Sequence, residues 1–331
     1  MATATDFGQT EALFVKRRRT GYVWDVLRRL RRNRAATISG IFILLLILVA
    51  VLADVIATHD VSESFFAPIA EDASDDPLAA RETGKFATPT WDHLFGTDQL
   101  ARDIFSRTVT GLRISMGAAF FAVVVVSVIG VTVGTLAISG PTWVDSLLMR
   151  VTDIAYAFPD LLLIILLSAA FGGTIFGLGS ILGISSQILL LFFAIAITAW
   201  PTTARLVRGQ LLSIREMEYT TAARSIGASP LRVATRHMIP NAMGPVIVEA
   251  TFLVPRAIIA EATLSFIGLG VRPPTPSLGL LINDHFSFVG VQWIALLIPT
   301  LILATLFLAF QFFGDGLRDA MDPRTEKAQG A

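Results

Sequence analysis

Apolar residues in this chain cluster in runs much longer than a β-strand. Six segments stay mostly apolar over roughly 20 residues, the length a helix needs to cross ~30 Å of hydrocarbon. They are Ala35–Ala57, Arg113–Ile138, Met149–Phe171, Ser186–Val207, Val246–Gly268 and Val291–Phe313. The second carries no charge after Arg113, whereas the third and fifth contain charged residues and rest less firmly on hydropathy. Lipid cannot satisfy backbone N–H and C=O groups, so each run must bond internally as a helix. The pattern therefore predicts an all-α, polytopic membrane protein with six transmembrane helices. Gly130 and Gly134 form a GxxxG in the second span, where small residues permit close helix approach.

The polar segments set sidedness. Residues 1–34 hold nine Lys/Arg against three acids, residues 58–112 ten acids against four bases, and residues 205–243 six Arg against two Glu. Positive charge collects on the cytoplasmic side. Six crossings then put the basic arm, the Arg-rich loop and the C-terminus inside, and the acidic loop outside. The expected division is a basic arm at 1–34, a first transmembrane helix at 35–57 and an extracytoplasmic loop at 58–112. A core of five transmembrane helices follows at 113–313, with a cytoplasmic loop at 209–243 and a tail at 314–331. The apolar run behind the basic arm is too long for a signal-peptide core, so it reads as an uncleaved helix. The stretch Gly96–Arg107 alternates polar and apolar residues and predicts an amphipathic lead-in to the second span.

Composition agrees with a lipid-exposed surface. Only 16% of residues are charged, where a soluble fold of this size has about a quarter. There is no cysteine, which excludes disulfides, thiolate catalysis and Cys-based metal sites. The four histidines, His59, His93, His237 and His285, are scattered, and none has a second His three to five residues away. Local spacing therefore gives a histidine metal site no support. The three lysines, Lys16, Lys85 and Lys327, leave no Gly-Lys-Ser/Thr for a P-loop. The chain has no phosphate cradle of its own. The expectation is a non-enzyme without cofactor or metal, in contact with lipid and not with nucleic acid.

The segment EMEYTTAARSIGASPLRVATRHMIPN, residues 216–241, is the most informative. Glu218 to Ile226 favours helix, and Gly227 supplies a left-handed stop. Ser229-Pro230 restarts a helix as N-cap and first residue, and Pro240 is expected to end it. Ala222 and Ala223 offer a small-residue face for close approach of another protein.

This segment resembles the EAA loop of ABC importer permeases. Thr221-Ala222-Ala223 stands at the E-A-A positions, Gly227 at the glycine and His237-Met238-Ile239-Pro240 at the end; Thr221 replaces the usual Glu and His237 the usual Ile. Glu218 offers a carboxylate one turn earlier. The wider chain, from about residue 20 to 324, is similar to the C-type subunit of the dipeptide/oligopeptide/nickel permease family. GTDQLARDIFSR, ARLVRGQLLSIREMEY, AEATLSFIGLGVRPPTPSLG and GDGLRDAMDPR carry that likeness, with Ala101 where relatives commonly have Gly.

The resemblance implies a type I ABC importer permease in a bacterial or archaeal plasma membrane. It would conduct di- or oligopeptides, with ATP bound by other chains. The implied partners are a second homologous permease subunit, two cytoplasmic ATP-binding subunits and an extracytoplasmic solute-binding protein. Glu218, Thr221, Ala222, Ala223, Gly227 and Pro240 are the implied ATPase-coupling residues. Nickel or another small solute is the alternative cargo. An ion-driven secondary transporter is the alternative mechanism, but that class predicts an internal repeat with paired broken helices, and none is evident.

Ionisable residues inside spans are costly and mark functional positions by default. Glu249, Arg256 and Glu261 lie in the fifth span, and Asp153 and Asp160 in the third. Both Glu249/Arg256 and Asp153/Asp160 are spaced to share a helix face. These five are the candidates for the translocation path or a subunit interface.

Overall fold

A computed structural model describes residues 22–65, 84–171 and 186–322. Twelve helices run through them: α1 (Tyr22–Arg32), α2 (Arg34–Val51), α3 (Ala53–Ile56), α4 (Ile104–Ser139), α5 (Thr142–Tyr156), α6 (Asp160–Phe171), α7 (Ser186–Arg215), α8 (Glu218–Ser225), α9 (Pro230–Val233), α10 (Ile239–Phe266), α11 (Leu278–Phe286) and α12 (Trp293–Met321). Among the described residues the only β pairing is an isolated bridge, Thr97 to Asp103. The all-α expectation holds.

Among the described residues, five helical stretches are long and apolar enough to cross a membrane: α2, α4, α7, α12 and the continuous stretch Pro230–Phe266. Their outward faces are apolar. Ile38, Ile41, Leu44 and Val51 of α2 are each more than 60% exposed, which suits acyl chains and not water. The third expected span differs. Met149–Phe171 is interrupted at Ala157-Phe158-Pro159, which separates α5 from α6. Pro159 lacks the N–H that would continue the ladder. Asp153 and Asp160 therefore sit on two helices and do not share one continuous face. Helix α4 also starts at Ile104, ahead of the expected Arg113, and α12 runs past Phe313 to Met321.

The most extensive helix pairing joins α4 to α7. A side chain at Gly130 would meet Thr203 at 2.7 Å, and one at Gly134 would meet Val207 at 2.8 Å. The GxxxG is the surface that lets these backbones touch. The main core gathers Ile43 of α2, Leu112 and Met116 of α4, Leu191 of α7, Ile258 and Leu264 of α10, and Phe310 of α12. A second core, at the end where α4 and α7 finish, packs Val207, Leu211 and Ile214 against Ala223, Val233, Met238 and Val246.

The segment before α4 is not an amphipathic helix. Asp98 is fully buried and folds the chain on itself. Its Oδ1 accepts the N–H groups of Leu100 and Arg102 at 2.8 and 2.9 Å, and its Oδ2 accepts Arg102 Nε at 2.7 Å. Ala101 is held at φ 56. Asp103 then caps α4 by accepting Ser106 N–H at 2.7 Å. Internal turns satisfy these polar groups, so the period of the polar positions reported no helix.

Candidate functional site

The loop between α7 and α10 is built largely as its residues predict. Helix α8 spans Glu218–Ser225. Gly227 follows with φ +85 and open space beside it. Pro230 opens α9 after Ser229. Thr220 anchors the entry, its hydroxyl donating to the Ile214 carbonyl at 2.9 Å. Two expectations fail. Pro240 does not end the second helix. A π-helical turn, Ala234–Met238, carries α9 directly into α10, and Ile239 N–H reaches the Ala234 carbonyl. The wider turn admits a proline without breaking the rod. Ala223 is 7% exposed and packs in the second core, not on the open face expected of it.

The outward face of the loop is different. Ile226 is 87% exposed and Leu231 60%, with Glu218, Thr221, Ala222, Arg224 and Arg232 also exposed around them. Two large apolar side chains thus stand exposed on one face of the loop, ringed by charge. The motif pattern points at Ala222, Ala223 and Gly227 and says nothing of Ile226 or Leu231. A large apolar residue immediately before the stop glycine was the available signal.

Three of the five candidate charges, Asp153, Glu249 and Arg256, form ion pairs. Arg205 of α7 donates to Asp153 of α5 at 2.8 Å and lies 4.3 Å above the Tyr156 ring. Arg256 and Glu249 pair at 3.5 Å along α10, as their spacing predicts, and Arg256 remains 63% exposed. Arg256 is also within electrostatic reach of Asp160 on α6. Nearer the α7–α10 loop, Arg208 grips Asp145 with two bonds of 2.7 Å. Those bonds hold the Asp145 carboxyl below its ordinary range. Arg205, Arg208 and Asp145 escaped sequence reasoning because each pair joins segments far apart in the chain.

Glu261 departs from its expected role. It is fully buried and lines no open path. Ser115 of α4 donates to its Oε2 at 2.6 Å and Ser265 to its Oε1 at 2.7 Å. Those same hydroxyls accept the backbone N–H groups of Leu278 and Val271, at 3.2 and 3.1 Å. One carboxyl group thus joins α4, α10, the following loop and the start of α11.

At the opposite end from the α7–α10 loop, Arg107 and Arg102 reach Asp284 at 3.3 and 3.5 Å. Burial raises the Asp284 carboxyl above its ordinary range, and the two arginines oppose this. Beside it, burial lowers His285, whose Nδ1–H donates to the Leu281 carbonyl at 2.7 Å.

Comparison with known proteins adds the following. Residues 130–327 match the binding-protein-dependent transport system inner membrane component family, and residues 21–77 match the N-terminal TM domain of oligopeptide transport permease C. The dipeptide transport system permease protein DppC of Bacillus subtilis (strain 168) is 36% identical over 319 residues, covering 96% of this chain and 90% of the relative. The glutathione transport system permease protein GsiD of Escherichia coli O6:K15:H31 is 37% identical over 297 residues, covering 90% and 89%. An inward-facing structure of the MetNI methionine ABC transporter superposes with TM-score 0.52 at 20% identity, covering 65% of this chain and 96% of that one. The last likeness establishes the fold.

Proposed function

Since this chain belongs to the binding-protein-dependent transport system inner membrane component family, we propose that it forms half of the translocation path of a short-peptide importer. It is a multi-pass inner membrane protein and a permease subunit that works with ATPase and binding-protein partners. In our reading the other half is a second, homologous permease chain, and two ATP-binding subunits dock on the cytoplasmic side. Both termini and the 209–243 loop face the cytoplasm, and the Asp98–Asp284 cluster faces outward. ATP hydrolysis belongs to the partners.

One observation carries the coupling: Ile226 and Leu231 stand exposed on a loop whose other face is locked into the second core. A partner gripping that surface moves α8, α9 and α10 together, a rigid element with two positions. Support for peptides comes from the dipeptide and glutathione relatives. The paired charges Asp153–Arg205 and Glu249–Arg256 also suit a zwitterion.

The test is reconstitution. The chain is coexpressed with its neighbouring permease and ATPase subunits, and ATPase activity in proteoliposomes is measured with binding protein and di-, tri- or oligopeptides. Peptide-stimulated hydrolysis that falls in Ile226→Asp, with loss of ATPase copurification, is the expected outcome. ATPase retention by Ile226→Asp/Leu231→Asp overturns the docking surface. Cleavage of Ser213–Arg236 by protease added outside intact cells overturns the orientation.

A further inference from the structure

His59 and His93 are distant in sequence but adjacent in space. Their rings lie 4.8 Å apart, centre to centre. His93 Nδ1 is 3.0 Å from Oδ1 of Asp103, which is fully buried. One donor atom from each of His59, His93 and Asp103 lies within 4.8 Å of the other two. We propose that His59, His93 and Asp103 form a binding site for a Zn²⁺-class divalent cation.

The three ligands are held in place without an ion. Asp103 Oδ2 is fixed by the Ser106 N–H at 2.7 Å, which leaves Oδ1 for the site. The N–H groups of Thr58 and His59 both donate to Ser106 Oγ at 3.1 Å. Phe65 N–H reaches the Ala101 carbonyl at 2.7 Å, and its ring abuts both imidazoles, at 4.6 and 4.9 Å. The backbone thus brings three separate segments together, and an aromatic wall keeps one side dry.

Tetrahedral coordination with bonds of about 2.0–2.2 Å spaces ligand atoms roughly 3.3 Å apart. His93 Nδ1 and Asp103 Oδ1, at 3.0 Å, need to part by only a few tenths of an ångström to reach that separation. The part-exposed His59 ring closes on them by a small rotation, and water takes the fourth position. Two imidazoles and one carboxylate select a zinc-like ion over Mg²⁺ or Ca²⁺, which take oxygen ligands.

Access is built in. A cavity of ≈ 450 Å³ adjoins His59 and is lined by Asp54, Asp60, Glu63 and Arg113. Arg113 is paired with Asp54 at 2.7 Å, which leaves Asp60 and Glu63 in excess. Such a wall concentrates cations beside the site. A bound ion would fasten the exit of the first span to the capped start of α4.

The test uses the full chain in lipid nanodiscs, purified with a tag free of histidine and stripped with chelator. Zn²⁺ binding is measured by calorimetry, and Co²⁺ is used as a spectroscopic substitute. The expected result is one ion per chain at micromolar or tighter affinity, with a tetrahedral Co²⁺ spectrum and no competition from Mg²⁺. His59→Ala and His93→Ala should each weaken binding by roughly tenfold or more, and His237→Ala should not. The His59 ring bonds only the Thr58 hydroxyl among described residues, so His59→Ala leaves the fold intact and is decisive if His93→Ala unfolds. His59→Cys should restore binding with a thiolate spectrum. Absence of saturable binding, or binding that survives His59→Ala and His93→Ala alike, overturns the site.

Discussion

Replacing Glu261 by alanine tests whether this carboxylate is structural or part of the path. In Glu261→Ala the hydroxyls of Ser115 and Ser265 lose their acceptor. A buried polar group left unpaired costs about 1–3 kcal/mol. Both serines can turn back to a carbonyl one helical turn earlier, which places each near the lower figure, about 1 kcal/mol. The space left by the carboxyl arm adds about 1 kcal/mol more. The sum is about 3 kcal/mol, which at this chain length corresponds to a fall in Tm of roughly 4 °C. Glu261→Gln keeps the volume and one acceptor oxygen. Its amide must donate to a serine that already donates, so a loss of about 1 kcal/mol is expected. The assay is thermal unfolding in detergent, followed by tryptophan emission. A Glu261→Ala protein as stable as the parent, but with altered solute selection, would refute the reasoning and return Glu261 to the path.

Other outcomes follow from the same geometry. Ala101 sits at φ 56 with its side chain fully buried. Ala101→Val should cost more than about 2 kcal/mol, because a branched side chain clashes in that conformation, and Ala101→Gly should cost nothing; urea unfolding distinguishes them. Gly134→Val forces α4 off α7 at Val207, with an expected loss of about 1–3 kcal/mol by the same assay. His285 is held neutral by burial, so its contribution to stability is complete above its ordinary pKa and declines as pH falls below it. Asp284, raised by burial, changes stability in the opposite direction. The drop in Tm between pH 7.5 and 5 should therefore be smaller in His285→Asn than in the parent.

Legibility followed the range of the interaction. The apolar runs, the stop at Gly227 and the restart at Pro230 depend on neighbours in sequence, and the structure keeps them. The Glu249–Arg256 pair, set by helical spacing, survives for the same reason. The break at Pro159 was harder to read, because proline is tolerated inside other helices here, at Pro201, Pro245, Pro255 and Pro299. Pairs such as Asp145–Arg208, and the meeting of His59 with His93, depend on how distant segments fold together. Spacing cannot report them. Ala223 shows a different limit: a motif marks a position as needing to be small, but not whether that smallness serves a neighbour in the same chain or a visitor.

The π-helical turn Ala234–Met238 carries one residue more per turn than its flanks. Phase therefore slips by ~100° as the chain passes from α9 into α10. Arg232 and Glu249 cannot be placed relative to one another by counting along a regular wheel. The face that Arg232 marks on α9 therefore continues along α10 about a quarter of the circumference away from where an unbroken wheel would put it.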